Sequence, residues 1–181
     1  MKKSALAISV LSLAMLSGVA SATVNDANLN ANNVRFLGTV TDTTCNLIPY
    51  VNGSATNVVN VGTVTKNTEG TAVDFSLKPD GKNKCNTIAD TTNPKTAHIA
   101  FMGALTDTGL ANQSGTAVDA HVVILATNST QTTEAITQSN DVRQISGATL
   151  ATDGATFTAT LHGGSTVGDY QSAIAYQVSY Q

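Results

Sequence analysis

Three histidines, two cysteines and twelve carboxylates are the residues with which this 181-residue chain could do acid–base, metal or redox chemistry. His98 lies in "TAHIAFMG", His121 in "VDAHVVIL" and His162 in "TLHGGS", each isolated in sequence. No H-x-H or H-E-x-x-H spacing places two imidazoles on one ion, so the expected position of each is the solvent side of a strand. No G-x-S-x-G elbow, phosphate-binding loop or G-x-G-x-x-G follows a strand, and "LHGGST" reads as a turn. The carboxylates are scattered singly beside turn formers, as in Pro79-Asp80-Gly81 and Thr152-Asp153-Gly154, which is backbone-turn chemistry first. The pattern predicts no enzyme, no cofactor and no metal centre.

Cys45 and Cys85 remain, and the compartment decides their role. "MKKSALAISVLSLAMLSGVASA" joins Lys2 and Lys3 to a short apolar run and then to Ala20-Ser21-Ala22. A charged start, an apolar middle and an A-x-A end predict a secretory signal over residues 1–22. In an exported chain an even cysteine pair predicts one disulfide, and closing a loop of this length contributes roughly 4 kcal/mol in the chain-entropy picture. Removing Lys2 and Lys3 from nine basic residues leaves seven against twelve acidic ones. That balance argues against nucleic acid or an anionic membrane surface as partner.

The elements that must carry these residues read as strands. Thr, Val, Asn and Gly are abundant after residue 22, charged residues make up 12% of the chain and Trp is absent. Apolar alternation recurs in "VRFLGTVTDTTC", "NVVNVGTV", "TAVDFSLK", "AHIAFMG", "AVDAHVVILAT" and "ATFTATLH", separated by Gly-, Asn- and Thr-rich turns, with no helical stripe and no repeat period. One all-β domain of immunoglobulin-like sandwich type is predicted. The sequons at Asn52, Asn112 and Asn128 predict exposed polar loops.

Both ends of the exported chain raise a pairing problem. The last strand, "IAYQVSY", puts Ile174, Tyr176, Val178 and Tyr180 on one face and is followed only by Gln181, so nothing after it covers its far edge. The first residues, "TVNDANLNANN", are strand-like but too polar to bury enough surface alone. Strand addition between molecules answers both at once. An extended arm of eleven residues spans roughly 36 Å, and four or five inserted apolar side chains contribute on the order of 10 kcal/mol before ordering costs. Donor and acceptor surfaces differ, so such a contact propagates as an open filament.

With those residues on the page, the chain resembles the chaperone-usher fimbrial (pilus) subunits of Gram-negative bacteria, in particular the major subunits of the type 1 pilin-like group. The resemblance rests on the signal segment, "VRFLGTV" ahead of the first cysteine, the Cys45 and Cys85 spacing, "GLANQSGTAVDAHVVILATN" and the ending "AYQVSYQ" with its penultimate Tyr180. It implies an incomplete immunoglobulin-like β-sandwich of six strands plus an N-terminal donor-strand extension. That extension covers residues 23–33, running to 38 in its longest reading, with the pilin domain over 34–181. It further implies a donor strand with Leu29, Val34, Phe36 and Gly38, Gly38 where close approach leaves no room for a side chain. Ile174, Tyr176, Val178, Tyr180 and Gln181 are implied as acceptor strand and chaperone contact. The implied partners are identical subunits in a head-to-tail filament, a periplasmic chaperone, an outer-membrane usher and, for an adhesive fimbria, a host-cell receptor. The implied location is the extracellular fimbrium, reached through the periplasm. The alternative is a sugar- or receptor-binding β-sandwich adhesin module.

Overall fold

A computed structural model describes residues 45–80, 85–131 and 134–181, all within one compact unit spanning Phe36–Gln181. The signal segment, the N-terminal extension and the proposed donor residues Leu29, Val34, Phe36 and Gly38 lie outside the described residues. The chain runs through β1 (Leu47–Val51), β2 (Ser54–Ala55), β3 (Val73–Pro79), β4 (Thr96–Gly103), β5 (Leu110–Ala111), β6 (His121–Ala126), β7 (Val142–Ser146), α1 (Gly147–Thr152), β8 (Ala155–His162) and β9 (Ile174–Tyr180). All described strand pairs are antiparallel. One sheet has the order β2-β1-β3-β8-β6-β5 and the other β7-β4-β9.

Period-2 patterning explains why these segments pair. In β8, Ala155, Phe157, Ala159 and Leu161 point inward between outward threonines, and in β4 Ala97, Ile99 and Phe101 do the same. The faces meet through Phe157, which stacks on Phe75 at 5.2 Å across β3 and β8 and takes Phe101 edge-on at 5.4 Å. Such aromatic pairs add about 0.5–1.5 kcal/mol beyond their burial. The expected disulfide is present. Cys45 and Cys85, 5.1 Å apart at Cα and 5% exposed each, tie the entry to β1 to a 3-10 turn at Cys85–Thr87.

The sandwich is as expected, with differences in its elements. β1, β7 and α1 go beyond the strands read from the sequence. The segment "NVVNVGTV", expected as a strand, is irregular, with Gly62 at a φ of 75°, and has no strand partner among the described residues. In "AVDAHVVILAT" the strand begins only at His121, leaving Val118 72% exposed in a loop. Arg143 in β7 explains why that strand was hidden. It is 2% exposed and occupies an inner position where an apolar residue would be expected. Its guanidinium donates to the carbonyls of Glu134 (2.7 Å), Ala135 (2.8 Å) and Val142 (2.6 Å) and to the side chain of Asn140 (3.0 Å). Buried cations persist only with this kind of hydrogen bonding.

Candidate functional site

A groove of about 870 Å³ opens along the larger sheet. Its floor is the inner face of the larger sheet: Leu110, Val122, Ile124, Ala159 and Leu161. One wall is the segment 57–64, which turns Val59, Val61 and Val64 onto the core. The opposite wall is the 163–173 connection, which contributes Tyr170 and passes into β9 at Ile174.

Among the described residues, the hydrogen bonds of the valine wall are local: Val58 N–H to the Thr56 hydroxyl (3.2 Å) and Gly62 N–H to the Asn60 side chain (3.0 Å). It is pinned at its ends, by Thr56 N–H to Pro49 (3.0 Å) before it and by Gly70 N–H to Leu161 (2.8 Å) after it.

The 163–173 wall is bonded throughout to the 111–120 loop. The Asn112 amide donates to Ala117 (2.9 Å) and Asp169 (3.3 Å), while its oxygen accepts from Gly115 (2.9 Å) and Gln171 (3.0 Å). Asp119 accepts from the Ser165 hydroxyl and amide (2.6 Å each) and from the Thr166 amide (3.1 Å). These donors, the Ser165 hydroxyl foremost, hold the Asp119 carboxyl far below the usual carboxylate range. The Tyr170 hydroxyl donates to Leu110 (2.9 Å), and burial pushes its pKa up to about 12. Asn112 and Asn128 are therefore not free loop tips, since Asn128 likewise bridges Gly154 (2.8 Å) and Thr156 (3.0 Å). Of the three sequons only Asn52 sits in an exposed turn, the β1–β2 hairpin, with a φ of 51°.

Ile174, Tyr176, Val178 and Tyr180 share one face of β9 and pack on the core without full burial. Among the described residues β9 lies at one edge of its sheet and pairs with β4 along its whole length; Gln181 extends that ladder through Thr96 (3.0 and 2.7 Å). Only Ile174 of this group lines the groove. The tyrosines cross between the sheets instead. The Tyr176 hydroxyl donates to the Leu47 carbonyl (2.8 Å) and the Tyr180 hydroxyl to that of Cys45 (2.5 Å), and burial pushes the Tyr180 pKa up to about 12.

The isolated histidines are not all isolated in space. His121 and His162 face each other across β6 and β8 with ring centroids 4.9 Å apart, whereas His98 sits in β4, opposite Gln144 of β7. The signal that could have found the pair is strand register, which a single sequence does not carry.

No family model matches the sequence. The F107 fimbrial protein of Escherichia coli is 35% identical over 175 residues, covering 96% of this chain and 96% of its own. The K99 fimbrial protein of Escherichia coli is 36% identical over 132 residues, covering 71% and 66%. Among solved structures, the P pilus rod subunit PapA superposes with a TM-score of 0.48 at 17% identity, over 82% of this chain and all of the other. Similarity to F107 along nearly the full length of both proteins places the chain in a family: it belongs to the fimbrial subunits, of the chaperone-usher class that its residue pattern resembles.

Proposed function

We propose that this chain is the structural, non-catalytic subunit of an adhesive surface fimbria and that it polymerises by strand donation. Residues 23–33 of one copy, continuing through Val34, Phe36 and Gly38, enter the groove of the next. The observation that carries this reading is the pairing of an apolar groove with a wall, 57–64, whose Val59, Val61 and Val64 pack on the core while its backbone has no strand partner among the described residues. A donated strand brings main-chain groups to that wall and apolar side chains to the floor, which is the physics of β-augmentation. In this reading Ile174 contacts the donor directly. Tyr176, Val178, Tyr180 and Gln181 form the strand that a periplasmic chaperone grips before an outer-membrane usher exchanges it for the next subunit.

The test is deletion of residues 23–36 from the exported protein, leaving residues 1–22 and the disulfide intact. The truncated subunit is expected to accumulate with its chaperone and to be lost from fibres as a donor, read by electron microscopy and by fibre content after shearing. Normal fibres from the truncated chain would refute strand donation from this segment.

A further inference from the structure

We propose that His121 and His162 form a two-imidazole site for a first-row divalent transition cation on the outer face of the larger sheet. The register makes them direct cross-strand partners between β6 and β8, and their rings lie nearly parallel, 21° apart, with centroids 4.9 Å apart. Both strands belong to a six-pair antiparallel ladder, so the two Cβ positions are held by backbone rather than by loop. Side-chain rotation about χ1 and χ2 is then enough to converge two nitrogens on an ion at about 2.0–2.1 Å from each.

Each ring also has an acceptor for its second nitrogen. His162 Nδ1 lies 3.6 Å from Glu69 Oε1, and Glu69 is itself fixed opposite His162 by a β-bridge. The main-chain carbonyl of Asp119 engages His121. An imidazole whose other nitrogen is held by a carboxylate or a backbone carbonyl is oriented and made more basic as a ligand. His162 is 25% exposed at its side chain and Glu69 72%, so water and ions reach the site. Among the described residues no three His, Cys, Asp or Glu side chains enclose an ion. The cation is therefore held at two corners by protein and completed by water, and imidazole donors favour copper(II) over nickel(II) and zinc(II).

The test uses the purified mature protein as isolated, stripped with a chelator and titrated with copper(II) and nickel(II). One copper(II) per chain is expected, with an electron paramagnetic resonance spectrum split by two imidazole nitrogens. His121→Gln and His162→Gln should each weaken binding by roughly tenfold or more, and His98→Gln should leave it unchanged. Circular dichroism of each variant checks the fold, and the wild-type spectrum decides the matter should a variant not fold. Coupling to one nitrogen or none, or equal loss in the His98 variant, would overturn the site.

Discussion

The two walls of the groove are built from stretches of similar length and bonded in opposite ways. The 163–173 wall is tied to the 111–120 loop through Asn112, Thr116 and Asp119, and glycines let the two backbones touch. A Cβ on Gly115 would lie 1.8 Å from the Asp169 carbonyl and one on Gly168 2.1 Å from the Thr116 hydroxyl. The 57–64 wall is pinned at its ends, and among the described residues its carbonyls and amides make no bonds to other strands. Few inter-strand hydrogen bonds and half-buried valines are the marks of a segment at the low end of local stability. The difference teaches where, on the strand-donation reading proposed above, an incoming strand would do its work: against 163–173 it would meet a finished surface, and against 57–64 it would supply hydrogen bonds to a segment that has no strand partner among the described residues.

The contrast can be broken most severely on the uncommitted side. Val59→Asp combined with Val61→Asp puts two carboxylates into the apolar groove, and fibre assembly should be abolished while Val118→Asp, in an exposed loop, assembles normally. Counting fibres by electron microscopy checks this, and assembly by the double variant would show that the valine wall does not receive the donor. On the committed side, Gly115→Ala forces the two loops apart and should cost about 1–3 kcal/mol, as overpacking does, measured as a shifted denaturant midpoint at constant slope. A cost near zero would mean that the loops are not locked.

The smallest effect is a pH dependence. Tyr170 and Tyr180 ionise at about 12 in the fold, against about 10 in an unfolded chain. Their contribution is complete below pH 10 and declines as pH rises from 10 to 12, because the unfolded chain loses those protons first. Thermal unfolding across that range should show the decline, and Tyr170→Phe should make it shallower. An unchanged slope would place the alkaline sensitivity elsewhere.

Much of this architecture was legible because alternation and burial coincide in β3, β4, β8 and β9, and because an exported pair of cysteines has few other uses. What escaped did so for physical reasons. β7 carries Arg143 at an inner position, so its pattern lacks the apolar beat of a strand. β1 is short and contains Pro49. Helix α1, "GATLAT", has Gly and Thr in place of strong helix formers and is started by the Ser146 side chain, which accepts from Thr149 N–H (3.1 Å). The 57–64 segment has valines spaced as in a strand, but Gly62 turns its backbone at a φ of 75° and it has no strand partner among the described residues, neither of which a local pattern encodes. Of the candidate site, the β9 face could be read directly, whereas the groove floor and the Asn112 network required tertiary structure.

The hydroxyls of Tyr176 and Tyr180 bear on timing. They reach carbonyls 129 and 135 residues earlier in the chain, at Leu47 and Cys45. A polypeptide delivered to its folding compartment amino end first must hold its opening strand in waiting until β9, the last described strand, has arrived. Contacts so distant along the chain are slow to form and leave apolar faces open to mispairing in the interval. On the proposed reading, a guardian that occupied the unfinished molecule during that delay would shield those faces as well as complete them.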